Sequence, residues 1–427
     1  MKYSKKDISI ENGLTKEWII TNGIGGYASS SIIGCNTRKY HGLLIAPLTP
    51  PARRYLILSK IDESIEIDGK KYNLYTNMST NYISDGYKYQ ESFEKDYIPT
   101  FSYKIEDTLI DKSICMKYME NTVCILYKIK NGKKYSKLTL APIINYRDFH
   151  QMNTGHLYNL KQEIKQRKVK VIVDNNNQIP IYIYSTLGNY IEHKNDSFNN
   201  MFYIEEEKRG FFPEENHAVC GRYEIELEPN EEKEVSIICS LEENIEEIDI
   251  KKIIDDETKR INTLVKNSGL TSKNKDKELI EDYIIATDNF VVYRPSFCLH
   301  TLIAGYHWFL DWGRDALISF EGLLLIPRRF DIAKEVLLTF VKNIKFGLVP
   351  NGYSGFDNRP LYNSVDASLL LFEQVKKYLN YTKDYEFVEE KLYSVLKSII
   401  EAYMAGINLD DNNIYLDEDN LIVSRNT

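Results

Sequence analysis

Short stretches in which apolar and polar residues alternate, or in which β-branched residues gather, dominate residues 1–265. Such stretches are typical of strands, whose side chains point alternately to the two faces of a sheet. The ten clearest are Arg54–Lys60, Glu63–Ile67, Phe101–Ile105, Ser113–Tyr118, Thr122–Ile129, Lys137–Leu140, Val169–Val173, Ile179–Tyr184, Arg222–Leu227 and Val235–Cys239. The pairs Asp68-Gly69 and Asn131-Gly132 suit two-residue hairpins. We therefore expect an antiparallel β-sandwich.

The apolar spacing changes from two to 3.6 after Asp276. One helical stripe consists of Ile332, Val336, Leu337, Phe340, Val341 and Ile344. Asp331 is predicted to cap the start of that helix, and Gly347 its end. Four further helices are predicted at about 276–293, 315–326, 364–380 and 387–403. This part of the chain is expected to be all-α.

A stretch rich in Lys, Asp and Glu, Glu242–Lys277, separates the two patterns. It is predicted to be a linker with room for a helix. A chain of 427 residues suits two or three domains. The prediction is a multidomain β + α protein, with a β domain at 1–265 and a helical domain at 266–427.

Composition excludes several classes of function. Lys and Arg number 54 against 62 Asp and Glu, and the net charge of −8 argues against nucleic acid as a partner. No run of about 20 apolar residues and no signal peptide is present, so we expect a cytoplasmic protein that does not span a membrane. The six cysteines show no metal-ligand spacing and are expected to be reduced. Common nucleotide-binding, zinc-protease and serine-hydrolase motifs are absent.

The densest group of chemical side chains includes Trp308, Trp312, Arg314 and Asp315, just before a predicted helix. Aromatic faces stack on the apolar face of a sugar ring, while carboxylates and a guanidinium bind its hydroxyls. The group is therefore a candidate sugar site. The alternative is structural: a buried Trp pair, with an Arg–Asp ion pair that fixes a loop.

A second group combines Asn351 with Asn363, Ser364 and Asp366. Asn363 or Ser364 is predicted to be the N-cap of the next helix, which places Asp366 in its first turn. There the helix dipole lowers the pKa of a carboxyl, whereas a general acid needs a raised pKa. Asp366 is thus a candidate acid only if burial or a second carboxylate outweighs the dipole; otherwise it complements the dipole.

A third group lies in the β half, where the glycine-rich stretch Asn22–Gly26 is followed by Arg38, Tyr40 and His41. Glycines permit tight turns, and these three side chains have the reach to contact a ligand or a neighbouring domain. The alternative interpretation is a structural loop. Phosphate binding is disfavoured because no strand–loop–helix unit is evident.

At these groups the chain resembles the bacterial and archaeal type of glycogen debranching enzyme, the amylo-α-1,6-glucosidase family. The similar stretches follow the family's order: Asn22–Gly26, Asn36–Leu44, Pro142–His150, Trp308–Asp315 and Tyr362–Ala367. The resemblance implies an N-terminal β-sandwich followed by an (α/α)6 toroid that removes α-1,6-linked glucose stubs from branched α-glucan, without metal or organic cofactor. Glycogen, limit dextrin and maltooligosaccharides would be its partners.

The resemblance also implies roles for individual residues. Asp366 resembles the general acid of an inverting hydrolysis, and Trp312, Arg314 and Asp315 resemble the wall of the glucose subsite. The remaining substrate-binding candidates are Trp308, Asn351, Asn363, Arg38, Tyr40 and His41.

The helical part is too short for a whole toroid. Six helix pairs need roughly 200–240 residues, and about 150 follow Asp276. We therefore expect an incomplete toroid, a general base outside this chain, and little or no activity of the chain alone. The alternatives are a non-catalytic α-glucan-binding protein and another enzyme on the same toroid, such as a glucoamylase-, trehalase- or phosphorylase-like protein.

Overall fold

The computed structural model describes residues 1–174, 179–270, 275–355, 359–409 and 412–425. The chain divides into two compact units. The first comprises Met1–Asn22, Gly26–Pro47 and Arg54–Thr258, and the second comprises Gly23–Gly25, Leu48–Arg53 and Lys259–Thr427. The first unit is rich in sheet and the second is mainly helical, while the domain boundary at residue 265 stays a prediction.

The first unit holds two large sheets. Among the described residues, the first sheet has nine strands, each antiparallel to its neighbours. In spatial order they are Lys2–Ser4, Gln90–Lys95, Pro99–Ile105, Thr108–Met116, Thr122–Lys130, Glu232–Ser240, Ile181–Ser185, Lys168–Val173 and Leu160–Lys165. The stretches predicted in this sheet are confirmed as strands. Pro99–Ile105 and Lys168–Val173 alternate in burial, whereas Thr122–Lys130 and Glu232–Ser240 are mostly buried on both faces and were predicted from their β-branched residues.

The second sheet has eight strands within the described ranges. Its order is Asn189–Phe202, Glu214–Leu227, Ser136–Asp148, Ala52–Ile67, Gly42–Thr49, Tyr27–Ser31 and Glu17–Thr21, and Lys70–Asn73 pairs with Ala52–Ile67. The last three strands of this order were not predicted from the sequence. Tyr27–Ser31 is buried along its whole length and Gly42–Thr49 along most of it, so neither alternates. The predicted strands at 54–60 and 63–67 are one strand, Ala52–Ile67.

Side chains from the two sheets contact each other. The Trp18 ring packs edge-on against the Phe101 ring, with centroids 6.2 Å apart. The Glu63 carboxylate of the second sheet accepts a hydrogen bond from the Tyr127 hydroxyl (2.8 Å) and pairs with Lys112 Nζ (2.5 Å), both from the first sheet. The core between the sheets therefore contains a buried ion pair as well as aromatic rings.

Of the two predicted hairpins, one is correct and one is wrong. Asp68 (φ 51°) and Gly69 (φ 79°) connect two paired strands. Asn131-Gly132 instead connects the first sheet to the second. The Asn131 side chain explains this, because its Nδ2 donates to the carbonyl oxygens of Leu227 (3.1 Å) and Glu228 (2.8 Å), about a hundred residues away.

The five helices predicted after residue 276 are present in the second unit, whereas Ile10–Thr15 and Ile204–Lys208 were not predicted. In the described part of the chain the α-helices are Ile10–Thr15, Ile204–Lys208, Ile250–Ser268, Lys277–Asp288, Gly313–Phe320, Phe330–Val341, Asp366–Thr382, Tyr385–Phe387 and Tyr393–Ala405, with π-helical turns at Glu321–Leu325 and Val388–Leu392. The predicted linker contains the long helix Ile250–Ser268, and its residues 271–274 lie outside the described part. The stripe of the helix Phe330–Val341 packs into the core of the second unit, as predicted.

Three details of the helical part differ from the prediction. Asp331 lies in the first turn of its helix rather than at the N-cap, which is Arg329. That helix ends at Val341, before Gly347, because a turn follows. The second unit is also not all-α. Its short strands are Val291–Arg294 with Leu299–Leu302, Gly352–Tyr353 with Pro360–Leu361, and Ile407–Leu409 with Asn412–Leu416 and Ile422–Arg425.

The Asp68-Gly69 turn generates a prediction about stability. A Cβ added at Gly69 or at Gly155 meets nothing within 4 Å, but only Gly69 has a positive φ. Gly69→Ala is therefore expected to lower the free energy of unfolding of the first unit by about 1 kcal/mol, from backbone strain alone. Urea unfolding followed by circular dichroism measures this, with Gly155→Ala as the matched control. Equal effects of the two substitutions would contradict the assignment of the turn.

Candidate active site

The candidate residues of the second unit lie at the starts of two helices. Trp312 is the N-cap residue of the helix Gly313–Phe320, and Arg314 and Asp315 are exposed in its first turn. Asp366 is the first residue of the helix Asp366–Thr382, as the sequence predicted. Val365, the residue before that helix, already has helical backbone angles and caps nothing with its side chain. The Ser364 hydroxyl accepts a hydrogen bond from the Ala367 N–H (3.4 Å), so Ser364 caps the helix as one of the two predicted candidates.

Backbone hydrogen bonds join the two groups that the sequence singled out. The Gly313 N–H donates to the Asn351 carbonyl (2.6 Å), and the Asn351 N–H donates to the Leu361 carbonyl (2.7 Å). A Cβ at Gly313 would lie 2.3 Å from the Pro350 carbonyl oxygen, so only glycine allows this approach. The segment that carries Trp312 is therefore fastened to the segment that leads to Asp366.

Arg314 and Asp366 form an ion pair between the two helices. Arg314 Nε donates to Asp366 Oδ2 at 2.6 Å, and the Ser364 hydroxyl contacts Asp366 Oδ1. Burial raises the pKa of Asp366, but the hydrogen bonds from Ser364 and Arg314 outweigh it, and the pKa lies below its ordinary value. Asp366 is thus an anion at neutral pH in this state.

The two asparagines of the candidate site also meet. Asn351 Nδ2 donates to Asn363 Oδ1 at 3.2 Å. Asn351 Oδ1 is buried and accepts no hydrogen bond from any residue in the described part of the chain. Next to it, a Cβ at Gly352 would lie 3.8 Å from the Trp312 ring. The backbone next to this amide acceptor therefore passes close to the Trp312 ring.

A buried ion pair that the sequence motif did not reveal holds this region. The carboxylate of Asp311 accepts two hydrogen bonds from Arg294, Nε to Oδ2 at 3.0 Å and Nη2 to Oδ1 at 2.8 Å. Both side chains are fully buried. The Arg294 guanidinium also lies over the Tyr353 ring, 4.5 Å from its centroid. The alternative interpretation of the motif was an Arg–Asp ion pair that fixes a loop. Asp311 forms such a pair, but with Arg294 from outside the motif, whereas Arg314 pairs with Asp366.

The remaining residue of this group, Trp308, is half-buried. It packs edge-on against the His307 ring, with centroids 5.8 Å apart. Its loop is closed by backbone hydrogen bonds from Ala304 to Leu310 (2.9 Å) and from Phe309 to Gly305 (2.9 Å). The role of Trp308 in sugar binding stays a prediction.

The third group lies in the first unit, where each side chain has a protein partner. Arg38 Nε donates to Glu17 Oε1 (2.7 Å), His41 Nε2 lies 3.8 Å from the same oxygen, and the Tyr40 hydroxyl bonds to His150 Nδ1 (3.1 Å). Burial raises the pKa of Glu17, but its contacts with His41 and Arg38 outweigh that and lower it to about 2. These contacts are structural, and binding roles for the group stay predictions.

The stretch Pro142–His150 has a structural part in the same unit. Its Arg147 is buried, pairs with Glu215 (Nη2 to Oε2, 2.7 Å) and donates to the Lys39 carbonyl (2.7 Å). Burial raises the pKa of Glu215, but the Arg147 charge outweighs it and holds the pKa below its ordinary value. Arg147 therefore ties the loop around Lys39 to the second sheet.

In the described ranges, no group of three or more His, Cys, Asp and Glu side chains is arranged to hold a metal ion. No helix within those same residues is long and apolar enough to cross a membrane.

Comparison with known families matches most of the chain in two parts. Residues 16–234 match the family model described as glycogen debranching enzyme N terminal, and residues 285–427 match the model described as amylo-alpha-1,6-glucosidase. The first match alone covers just over half of the chain. The chain belongs to the glycogen debranching enzyme family. The resemblance stated from the motifs is confirmed.

Individual relatives of this debranching-enzyme family member are more distant. The glycogen debranching enzyme of Saccharomyces cerevisiae is 36% identical over 107 residues, which are 25% of this chain and 6% of the yeast protein. The match therefore spans only a small part of that relative's length. Among solved structures, a bacterial glucoamylase complexed with acarbose is 14% identical with a TM-score of 0.49, covering 94% of this chain and 59% of its own.

The Arg294–Asp311 pair of this family member generates a prediction. Asp311→Asn leaves a buried guanidinium without a counter-charge, and is expected to lower the free energy of unfolding by about 3–5 kcal/mol. Asp315→Asn, an exposed position in the same segment, is expected to change it by less than about 0.5 kcal/mol. Urea unfolding followed by tryptophan fluorescence, with Trp308 and Trp312 reporting on the second unit and Trp18 on the first, measures both. Similar values for the two variants would show that the buried pair does not hold the loop.

Proposed function

We propose that this chain supplies the candidate acid and the glucose-binding wall of an amylo-α-1,6-glucosidase that hydrolyses α-1,6-linked glucose stubs of branched α-glucan. One observation carries the proposal: Asp366 and Arg314 form an ion pair between two helix starts. Trp312 lies two residues before Arg314, and the Asn351 amide bonds to Asn363, three residues before Asp366. The C-terminal match, to a model described as amylo-alpha-1,6-glucosidase, supports the reaction type. Glycogen, limit dextrin and maltooligosaccharides are the proposed partners.

The residues of the site divide the work of binding a glucose unit. The indole of Trp312 offers a flat face for the apolar side of the ring. Arg314 and Asp315, exposed on one helical turn, offer a donor fork and a carboxylate for hydroxyls. Asn351 Oδ1, buried without a donor among the described residues, offers an acceptor for a further hydroxyl. This mixture of one aromatic face and several hydroxyl partners favours a sugar over an apolar ligand.

Asp366 is proposed to protonate the glycosidic oxygen as the bond to the departing glucan breaks. For that step Asp366 must first gain a proton, and Arg314 opposes it in the unliganded site. When sugar hydroxyls take up the Arg314 donors, the ion pair weakens and the pKa of Asp366 rises. In an inverting reaction a second carboxylate activates water, about 6.5–9.5 Å from the first.

The finer architecture is also a proposal. Two sheets whose side chains meet at Trp18, Phe101 and Glu63 support a β-sandwich in the first unit. The succession of helices along the second unit would be part of an (α/α)6 toroid, a scaffold on which several glycosidases are built.

One observation favours a second candidate function. Asp366 is held as an anion by both Arg314 and Ser364, which suits a carboxylate that only accepts hydroxyls. A non-catalytic α-glucan-binding protein would have such a site. Saturable binding of isomaltose, seen as a change in Trp312 fluorescence, without glucose release at any pH would support this alternative.

The proposed reaction predicts a large effect of Asp366→Asn. In a form of the protein that includes the general base, this substitution removes the transferable proton and is expected to lower glucose release from a limit dextrin by roughly 10²–10⁴-fold. Asp331→Asn, a matched change in the first turn of another helix, is expected to leave the rate unchanged. Glucose released over time, measured enzymatically for both variants and the unchanged protein, provides the comparison. Equal rates for Asp366→Asn and the unchanged protein would end the assignment of the acid.

A further inference from the structure

We propose that Ser364 is a positioning residue for Asp366: its hydroxyl fixes Oδ1, so that the transferable proton resides on Oδ2, the oxygen that Arg314 holds in the unliganded site. This inference rests on the proposed function, in which Asp366 donates its proton to the glycosidic oxygen. Nothing in the sequence motif distinguished the two oxygens of Asp366.

The direction of the Ser364 hydrogen bonds follows from two contacts. The Ala367 N–H donates to Ser364 Oγ at 3.4 Å, and the same Oγ contacts Asp366 Oδ1. A hydroxyl has one proton, and the backbone N–H can only donate. Asp366 is an anion in this state, so its Oδ1 has no proton to donate, and the Ser364 proton is the one shared with Oδ1, which acts as acceptor. While Ser364 donates to Oδ1, the acid proton is expected on Oδ2.

Ser364 is the immobile partner of Asp366. Its side chain is 5% exposed. The carbonyl of Val365, the next residue, accepts a hydrogen bond from the Tyr403 hydroxyl at 2.6 Å. Ser368, one turn into the helix, accepts from the Val349 N–H at 2.8 Å. These contacts fix the start of the helix and with it the Ser364 hydroxyl.

Arg314 is the exchangeable partner. Its side chain is 56% exposed, against 34% for Asp366. A guanidinium at this exposure loses little when it turns to another acceptor, because water and sugar hydroxyls replace the ion pair. Oδ2 can therefore change its partner from Arg314 to a glycosidic oxygen while Ser364 keeps Oδ1 in place.

The charged and titratable groups around Asp366 are few among the described residues. Arg314 faces it from the helix Gly313–Phe320, and the Tyr403 phenol lies near it from the helix Tyr393–Ala405. Hydrogen bonds from Ser364 and Arg314 lower the pKa of Asp366 against the effect of burial, which raises it. Removing the Ser364 hydroxyl should therefore raise that pKa, and so should moving Arg314 onto a sugar.

The test follows the Asp366 carboxyl carbon by NMR in a pH titration of the protein with ¹³C-labelled aspartate, assigned by the signal lost in Asp366→Asn. Ser364→Ala is expected to raise the midpoint by roughly half to one pH unit, since one hydrogen bond to the anion is lost. Ser364→Thr keeps the hydroxyl and is expected to restore the midpoint. Ser398→Ala, at an exposed hydroxyl on another helix, is the matched control.

Outcomes separate this inference from the proposed function. An unchanged midpoint in folded Ser364→Ala would overturn the positioning role; if that variant does not fold, Ser364→Gly gives the same comparison, because glycine is tolerated at helix starts. Added isomaltose is expected to raise the midpoint in the unchanged protein. Failure of isomaltose to bind would contradict the proposed function, while the Ser364 result would still stand.

Activity gives an independent readout. A general acid is active when protonated, so the rate falls as the pH rises above its pKa. In a form of the protein that includes the general base, Ser364→Ala is expected to move the alkaline limb of kcat/KM for glucose release to higher pH, by the same amount as the NMR midpoint. A lower kcat without movement of that limb would indicate a merely structural role and overturn the inference.

Discussion

The candidate site depends on the buried ion pair between Arg294 and Asp311. Both side chains are fully buried, so separating them would leave two uncompensated charges inside the protein. The ion pair therefore holds the loop that ends at Asp311 next to Arg294. Trp312 is the next residue, so the ion pair also limits where Trp312 can lie. The Gly313 N–H then donates a hydrogen bond to the Asn351 carbonyl. The exposed side chains of Arg314 and Asp315 therefore extend from a backbone segment that is held in place. A catalytic site needs such fixed backbone positions.

The acidic residues of this region differ in role because their surroundings differ. Asp311 is fully buried against Arg294 and acts in structure. Asp315 is exposed on the first turn of a helix. Asp366 lies between these extremes, with one oxygen on a buried hydroxyl and the other on an exposed cation. Only Asp366 has a partner that can leave without disturbing the fold, and this makes it the candidate for proton transfer.

Local patterns in the sequence predicted nine of the seventeen strands described in the two large sheets, and the main helices of the second unit, because alternation and the 3.6 spacing directly reflect which face is buried. Strands buried on both faces, such as Tyr27–Ser31, lack alternation and were missed. Asn131-Gly132 was misread because its side-chain partners lie about a hundred residues away. In the same way the motif located Trp312 and Arg314, but the pairing of Asp311 with Arg294, outside the motif, is visible only in three dimensions.

In the proposed complex a glucose unit binds between Trp312 and Asp366 and takes Arg314 away from the carboxylate. A crystal structure of the protein with bound isomaltose tests this directly. We predict a glucose ring on the Trp312 face, hydroxyls bonded to Arg314 and Asp315, and the glycosidic oxygen about 2.6–3.2 Å from Asp366 Oδ2. A sugar bound elsewhere, or an Arg314–Asp366 pair that stays intact beside the bound sugar, would contradict it.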